Sequence, residues 1–149
     1  MGIIVPMNDQ LSDQKKKDLG PPLKILLADD TAVNLTLATK LLKKRGHDIT
    51  AVENGLQAFE AFKETYYDVV LMDIHMPVMD GIESTKKIQE FEISQPSRPK
   101  TPIIAMTANN EQSDHKNYLQ AGMTGIITKP LSIKTVVAQI REIIDKFSE

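Results

Sequence analysis

The chain contains no cysteine, which excludes disulfides, thiolate metal sites and a cysteine nucleophile. That absence fits a reducing compartment, and a cytoplasmic location is expected. Long apolar runs are also missing. The N-terminal MGIIVPM is too short for a signal-peptide core or a membrane span, so no membrane contact is expected. It opens on Met-Gly, but Pro6 stands where a myristoylation motif needs Ser or Thr. Neither sign of charge is in excess: the formal net charge is −2, which leaves no electrostatic footprint for nucleic acid. The one basic run, Lys15-Lys16-Lys17, reads as solvated linker. Internal repeats and low-complexity segments are absent as well. What remains, 149 residues of ordinary soluble composition, is enough for a single core, and a monomer is expected.

Residues 1–22 have no sustained period and end in the breaker Gly20-Pro21-Pro22. They read as a tail or interdomain linker, with one domain over 23–149. From Leu23 onward short apolar runs alternate with helical patterns, as repeated βαβ units around a parallel sheet do. Strands are expected at Lys24–Ala28, Asp48–Val52, Asp68–Met72, Pro102–Met106 and Gly125–Ile127. Between them come a helix to about Arg45, with Leu37, Ala38, Leu41 and Leu42 on one face and Gly46 at its C-cap, then Gly55–Glu64, Gly81 to about Ile93, and a helix near Glu111–Ala121. The last helix is expected from an N-cap at Ser132, with Ile133, Val136, Val137, Ile140, Ile143, Ile144 and Phe147 as its core stripe.

The chemistry gathers where strands end. KILLADD closes on Asp29 and Asp30, DVVLMD on Asp73, PIIAMT on Thr107, and GIIT just before Lys129. Folding gains nothing from a carboxylate at the end of a buried strand, and open parallel sheets bind ligands in the crevice at that edge. Adjacent carboxylates repel unless a cation or hydrogen-bond donors offset them. An all-oxygen donor set favours Mg²⁺ or Mn²⁺ over zinc.

The stretch Asp73-Ile74-His75-Met76-Pro77-Val78-Met79-Asp80-Gly81 resembles the phosphoacceptor loop of two-component response-regulator receiver domains, in the form D-x-x-M-P-x-M-D-G. Together with Asp29-Asp30, Thr107-Ala108 and Lys129-Pro130 it matches that family in order and spacing from about Leu23 to Phe147. The resemblance implies an α/β, flavodoxin-like (βα)5 doubly wound parallel sheet of strand order 2-1-3-4-5. It further implies a phosphoacceptor signalling domain rather than a separate enzyme, one that catalyses its own phosphorylation and dephosphorylation. Asp73 would take the phosphoryl group from a phosphohistidine on a histidine kinase or a His-containing phosphotransfer protein. Mg²⁺, with Mn²⁺ as a substitute, would be held by Asp30, Asp73 and the backbone carbonyl of His75, with Asp29 acting through metal-bound water. Lys129 would pair with Asp73 and then contact the phosphate, across a Lys-Pro bond expected to be cis. Thr107 would donate its hydroxyl to the phosphate.

Three departures and similarities refine this. Many receivers carry Tyr or Phe three positions before the lysine, where this chain has Ile126, so phosphotransfer with a weak conformational signal is expected. Asn34 resembles receivers attached to hybrid histidine kinases. His75 and Asn109 lie where the family tunes autodephosphorylation. A dehalogenase-type phosphatase would need a second Asp at position 75 as general acid, and a flavin carrier would not place carboxylates against the cofactor phosphate. His47 and His115 have no second ligand at helical spacing and are expected at the surface.

Overall fold

The computed structural model describes residues 20–108, 112–132 and 134–148; the expected tail therefore lies almost wholly outside them, as do Asn109 and Ile133. Five parallel strands form one sheet: β1 (Lys24–Ala28), β2 (Asp48–Val52), β3 (Val69–Asp73), β4 (Ile103–Thr107) and β5 (Gly125–Thr128). Their order is β2-β1-β3-β4-β5. Five helices connect or follow them: α1 (Ala32–Lys44), α2 (Gly55–Glu64), α3 (Gly81–Ser94), α4 (Gln112–Gln120) and α5 (Val136–Ser148).

The central strands are apolar without alternation because both faces of the sheet are covered. Period-2 geometry then sorts neighbours into two cores. Ile25, Leu27, Val69, Leu71, Ile104 and Met106 pack against Ala38 and Leu42 of α1 and Val136, Val137 and Ile140 of α5. Leu26, Ala28, Val70, Met72, Ile103 and Ala105 pack against Ala58 and Phe62 of α2, Ile88 of α3 and Tyr118 of α4. Strand order reverses between β1 and β3, so their carboxyl ends open onto a crevice at the switch point.

Local chemistry sets the helix ends. Asn54 caps α2 by accepting from the Gln57 amide at 2.8 Å, and Asp80 caps α3 by accepting from Glu83 at 2.8 Å. Gly46 closes α1 at φ +94°, with His47 N donating to Leu42 O and Gly46 N to Lys43 O; this is the left-handed closure that glycine adopts without penalty.

Six expectations are corrected. The last helix begins at Val136, not Ser132: Thr135 N and Val136 N both donate to the Ser132 carbonyl, which turns the chain before the helix starts. The apolar stripe runs through that turn, so its period conceals the break. Leu37 is 63% exposed rather than buried with its neighbours. His47 is buried, not solvent-facing, because its Nδ1 accepts from the Leu23 amide at 2.9 Å. His115 is half-buried, with its ring 6.3 Å from that of Tyr118. The third and fourth strands each start one residue later than expected. At β3 this is because Asp68 turns to Lys24, its Oδ2 accepting from the Lys24 amide at 2.8 Å.

Candidate functional site

Asp29 and Asp30 follow β1, Asp73 ends β3, Thr107 ends β4 and Lys129 follows β5. One oxygen from each of Asp29, Asp30 and Asp73 lies within 4.8 Å of the others. Asp29 and Asp73 are buried, while Asp30 is exposed at the rim. The Lys129 ammonium reaches Asp29 Oδ2 at 3.0 Å and Asp73 Oδ2 at 3.1 Å. It therefore bridges two carboxylates, where the sequence pointed to Asp73 alone. Its backbone fixes this reach: Lys129 N donates to Thr107 O at 2.7 Å, carrying the β4–β5 ladder one residue past the strand. The Lys129–Pro130 bond is cis. The other Asp29 oxygen, Oδ1, accepts from the Thr31 amide at 2.9 Å.

Lys129 pairs with two of the three clustered carboxylates, which leaves negative charge in excess. Burial pushes the Asp73 carboxyl above its ordinary value; Lys129 opposes this by hydrogen bond and charge, while Asp29 and Asp30 add to it. Burial pulls Lys129 down, but its bonds to Asp29 and Asp73 outweigh that and hold it above the usual lysine value. The leading causes differ: burial lifts Asp73 by more than Lys129 offsets, whereas the two buried acids lift Lys129 by more than its own burial lowers it. A site with this excess of negative oxygen fits a hard divalent cation.

The loop after Asp73 is tightly held. Gly81 N donates to Ile74 O at 2.9 Å. A Cβ on Gly81 would stand 2.2 Å from the Asp73 carbonyl oxygen, so only glycine lets α3 start this close to the acid. Met79 N donates to Pro77 O at 2.7 Å around Val78, whose φ is 70°. That is a γ-turn of the strained, positive-φ kind, uncommon for a β-branched residue. His75 is exposed in this loop, and Ile126 is half-buried against the second core. The spacing of the residues carries no sign of Val78's conformation. A cavity of about 470 Å³ opens beside Lys129 and Asp29, bordered by Asn34, Leu37, Leu41 and Leu131.

The doubly wound parallel sheet, with an acid cluster and a lysine at its switch point, defines a flavodoxin-like α/β domain with a candidate cation site. The family model of the response regulator receiver domain matches residues 25–141, and the chain belongs to that family. Hybrid signal transduction histidine kinase I of Dictyostelium discoideum is 38% identical over 133 residues, 86% of this chain and 8% of that protein. Transcription factor SKN7 of Candida albicans is 44% identical over 112 residues, 75% of this chain and 19% of that protein. The chain thus spans only a small part of the curated relatives it matches. Among solved structures, the receiver domain of sensor histidine kinase PA1611 from Pseudomonas aeruginosa, with a magnesium ion coordinated in its active-site cleft, is 36% identical. That match has a TM-score of 0.69 and covers 85% of this chain and 97% of the other. A chain of the Saccharomyces cerevisiae co-crystal of the phosphotransfer protein Ypd1 with the Ssk1 receiver domain aligns at TM-score 0.81 and 27% identity. It covers 89% of this chain and 95% of that one. Among the described residues no helix is long and apolar enough to cross a membrane.

Proposed function

We propose that Asp73 accepts a phosphoryl group from a phosphohistidine in a histidine-to-aspartate phosphorelay. The observation that carries this reading is the Lys129 ammonium held between Asp29 and Asp73 beside a third carboxylate. A carboxylate attacking an anionic group gains little from its own nucleophilicity, so positioning and charge neutralisation must supply the catalysis. As an Asp73 oxygen bonds to phosphorus, the bond from phosphorus to the histidine nitrogen breaks and the imidazole leaves. Lys129, already at Asp73, follows the charge onto the phosphoryl oxygens, and the Thr107 hydroxyl donates to one of them. Asp30, Asp73 and the His75 carbonyl would hold Mg²⁺, with Mn²⁺ as a substitute; the ion supplies the positive charge that one lysine cannot. Asp29 already has one oxygen on Lys129 and the other on the Thr31 amide, which suits it to act through metal-bound water.

Val33, Leu37 and Val78 stand 65%, 63% and 75% exposed on α1 and on the loop after Asp73. Apolar surface there favours a protein donor, a histidine kinase or His-containing phosphotransfer protein, over a small one alone. In this reading the domain begins at residue 23, acts as a monomer in the cytoplasm and serves as the receiver of a hybrid histidine kinase. It catalyses its own phosphorylation and dephosphorylation and, with Ile126 in place of an aromatic, broadcasts a weak conformational change. Acetyl phosphate or a phosphorylated phosphotransfer protein should add about 80 Da in the presence of Mg²⁺. Asp73→Asn and EDTA should each abolish that gain, and labelling that survives either one rules the proposal out.

A further inference from the structure

The loop between β3 and α3 contains a strained γ-turn at Val78, and its far end is held from the start of α2 and the first turn of α3. A short chain of buried hydrogen bonds does the holding. The Met79 carbonyl accepts from Gly55 N at 2.9 Å, using one of the amides that the start of α2 leaves unpaired. The Gly55 carbonyl in turn accepts from the Ser84 hydroxyl at 2.7 Å. Ser84 is wholly buried, and its own amide donates to Asp80 O at 3.0 Å. The circuit Met79–Gly55–Ser84–Asp80 therefore closes on itself through the chain. There is no slack at its centre: a Cβ on Gly55 would lie 2.3 Å from the Met79 carbonyl oxygen and 2.8 Å from that of Asp80.

We infer that Ser84 is a positioning residue for the site at Asp73. Its hydroxyl, acting through Gly55, locks the Met79 end of the loop whose other end carries Asp73 and His75. Ser84 bonds to neither the acid cluster nor Lys129, so it sets geometry rather than chemistry. The inference rests on the metal-dependent phosphoacceptor reading. Without the hydroxyl the α2 start can withdraw, Met79 loses its fixed donor, and the Val78 strain relaxes by moving the loop.

The test compares Ser84→Ala with Thr101→Val. Thr101 is also buried, and its hydroxyl donates to Tyr67 O at 3.0 Å at the amino edge of the sheet, away from the site. Mg²⁺ affinity is measured by calorimetry and Gly55 amide exchange by NMR. Ser84→Ala should weaken Mg²⁺ binding about fivefold, somewhat less than loss of a direct outer-shell partner of a metal ligand, and should speed Gly55 exchange. Thr101→Val should leave both unchanged. Wild-type affinity in Ser84→Ala, or equal weakening in both variants, overturns the positioning role while leaving the phosphoacceptor reading intact. A wild-type chain that binds no Mg²⁺ overturns both.

Discussion

Replacing Lys129 with methionine keeps the aliphatic stem and removes the one cation that Asp29 and Asp73 share. At about 3 Å and an effective dielectric near 20, each contact is worth about 5 kcal/mol before desolvation. The protein does not lose that full amount, because a stranded carboxylate can take up a proton instead. Protonating an aspartate with an unfolded pKa of about 3.9 costs about 4 kcal/mol at pH 7 and about 1.5 kcal/mol at pH 5. The expected destabilisation without Mg²⁺ is therefore about 3–4 kcal/mol at pH 7, as for other broken buried pairs, and no more than about 1.5 kcal/mol at pH 5. The sign follows from the direction of the shift. Removing the ammonium raises the folded pKa of Asp73 further above a value that burial already lifts. A carboxylate so raised keeps full stability below its unfolded pKa and loses it as pH climbs towards the folded one. The deficit should thus open above the ordinary carboxylate range and widen towards neutrality. A domain of ordinary stability, about 5–15 kcal/mol, stays folded under this loss. With no tryptophan in the chain, urea denaturation followed by far-UV circular dichroism is the assay, at both pH values and with saturating Mg²⁺, which should restore about 2–3 kcal/mol at a hundredfold excess over its Kd. A deficit of the same size at pH 5 and pH 7, or none at pH 7, would refute the shared-cation account.

Gly81→Ala should lose about 1–3 kcal/mol, since the new methyl meets the Asp73 carbonyl rather than a yielding side chain. Alanine's better helix propensity works the other way by about 1 kcal/mol, so any net gain in urea midpoint would contradict the close approach. Val78→Gly should gain about 1 kcal/mol. The residue is 75% exposed and has little packing to lose, and relief of its positive φ exceeds the entropy glycine adds to the unfolded chain. A lower melting temperature would show that Val78 is unstrained.

Much of this was legible in the residues. The runs before Asp29 and Asp73 are apolar on consecutive positions, which only a strand covered on both faces tolerates, and that placed the acids at the sheet edge. The bounds of α2, Gly55–Glu64, match those expected from the residues that it was to bury, Ala58, Phe59 and Phe62. What stayed hidden depends on registration between distant segments. Lys129 meets Asp29 because a ladder bond to Thr107 sets its height in the sheet, and neither spacing nor composition encodes that height. His47 is buried against the amide of Leu23, remote in sequence, from which its Nδ1 accepts. Val78 adopts a conformation that its own propensity opposes, so the surrounding loop, not the valine, dictates it.

The division of the interior into two separate cores has a consequence for how such a domain can diversify. Leu71 and Met72 are adjacent in sequence yet belong to opposite cores, so β3 is a partition wall with the acceptor aspartate at its end. Substitutions among α1 and α5 can drift without being felt by α2, α3 and α4, and the reverse holds equally. Each flank is then free to be reshaped for a different neighbour, while the reactive edge, anchored to the wall and to neither flank alone, keeps its place.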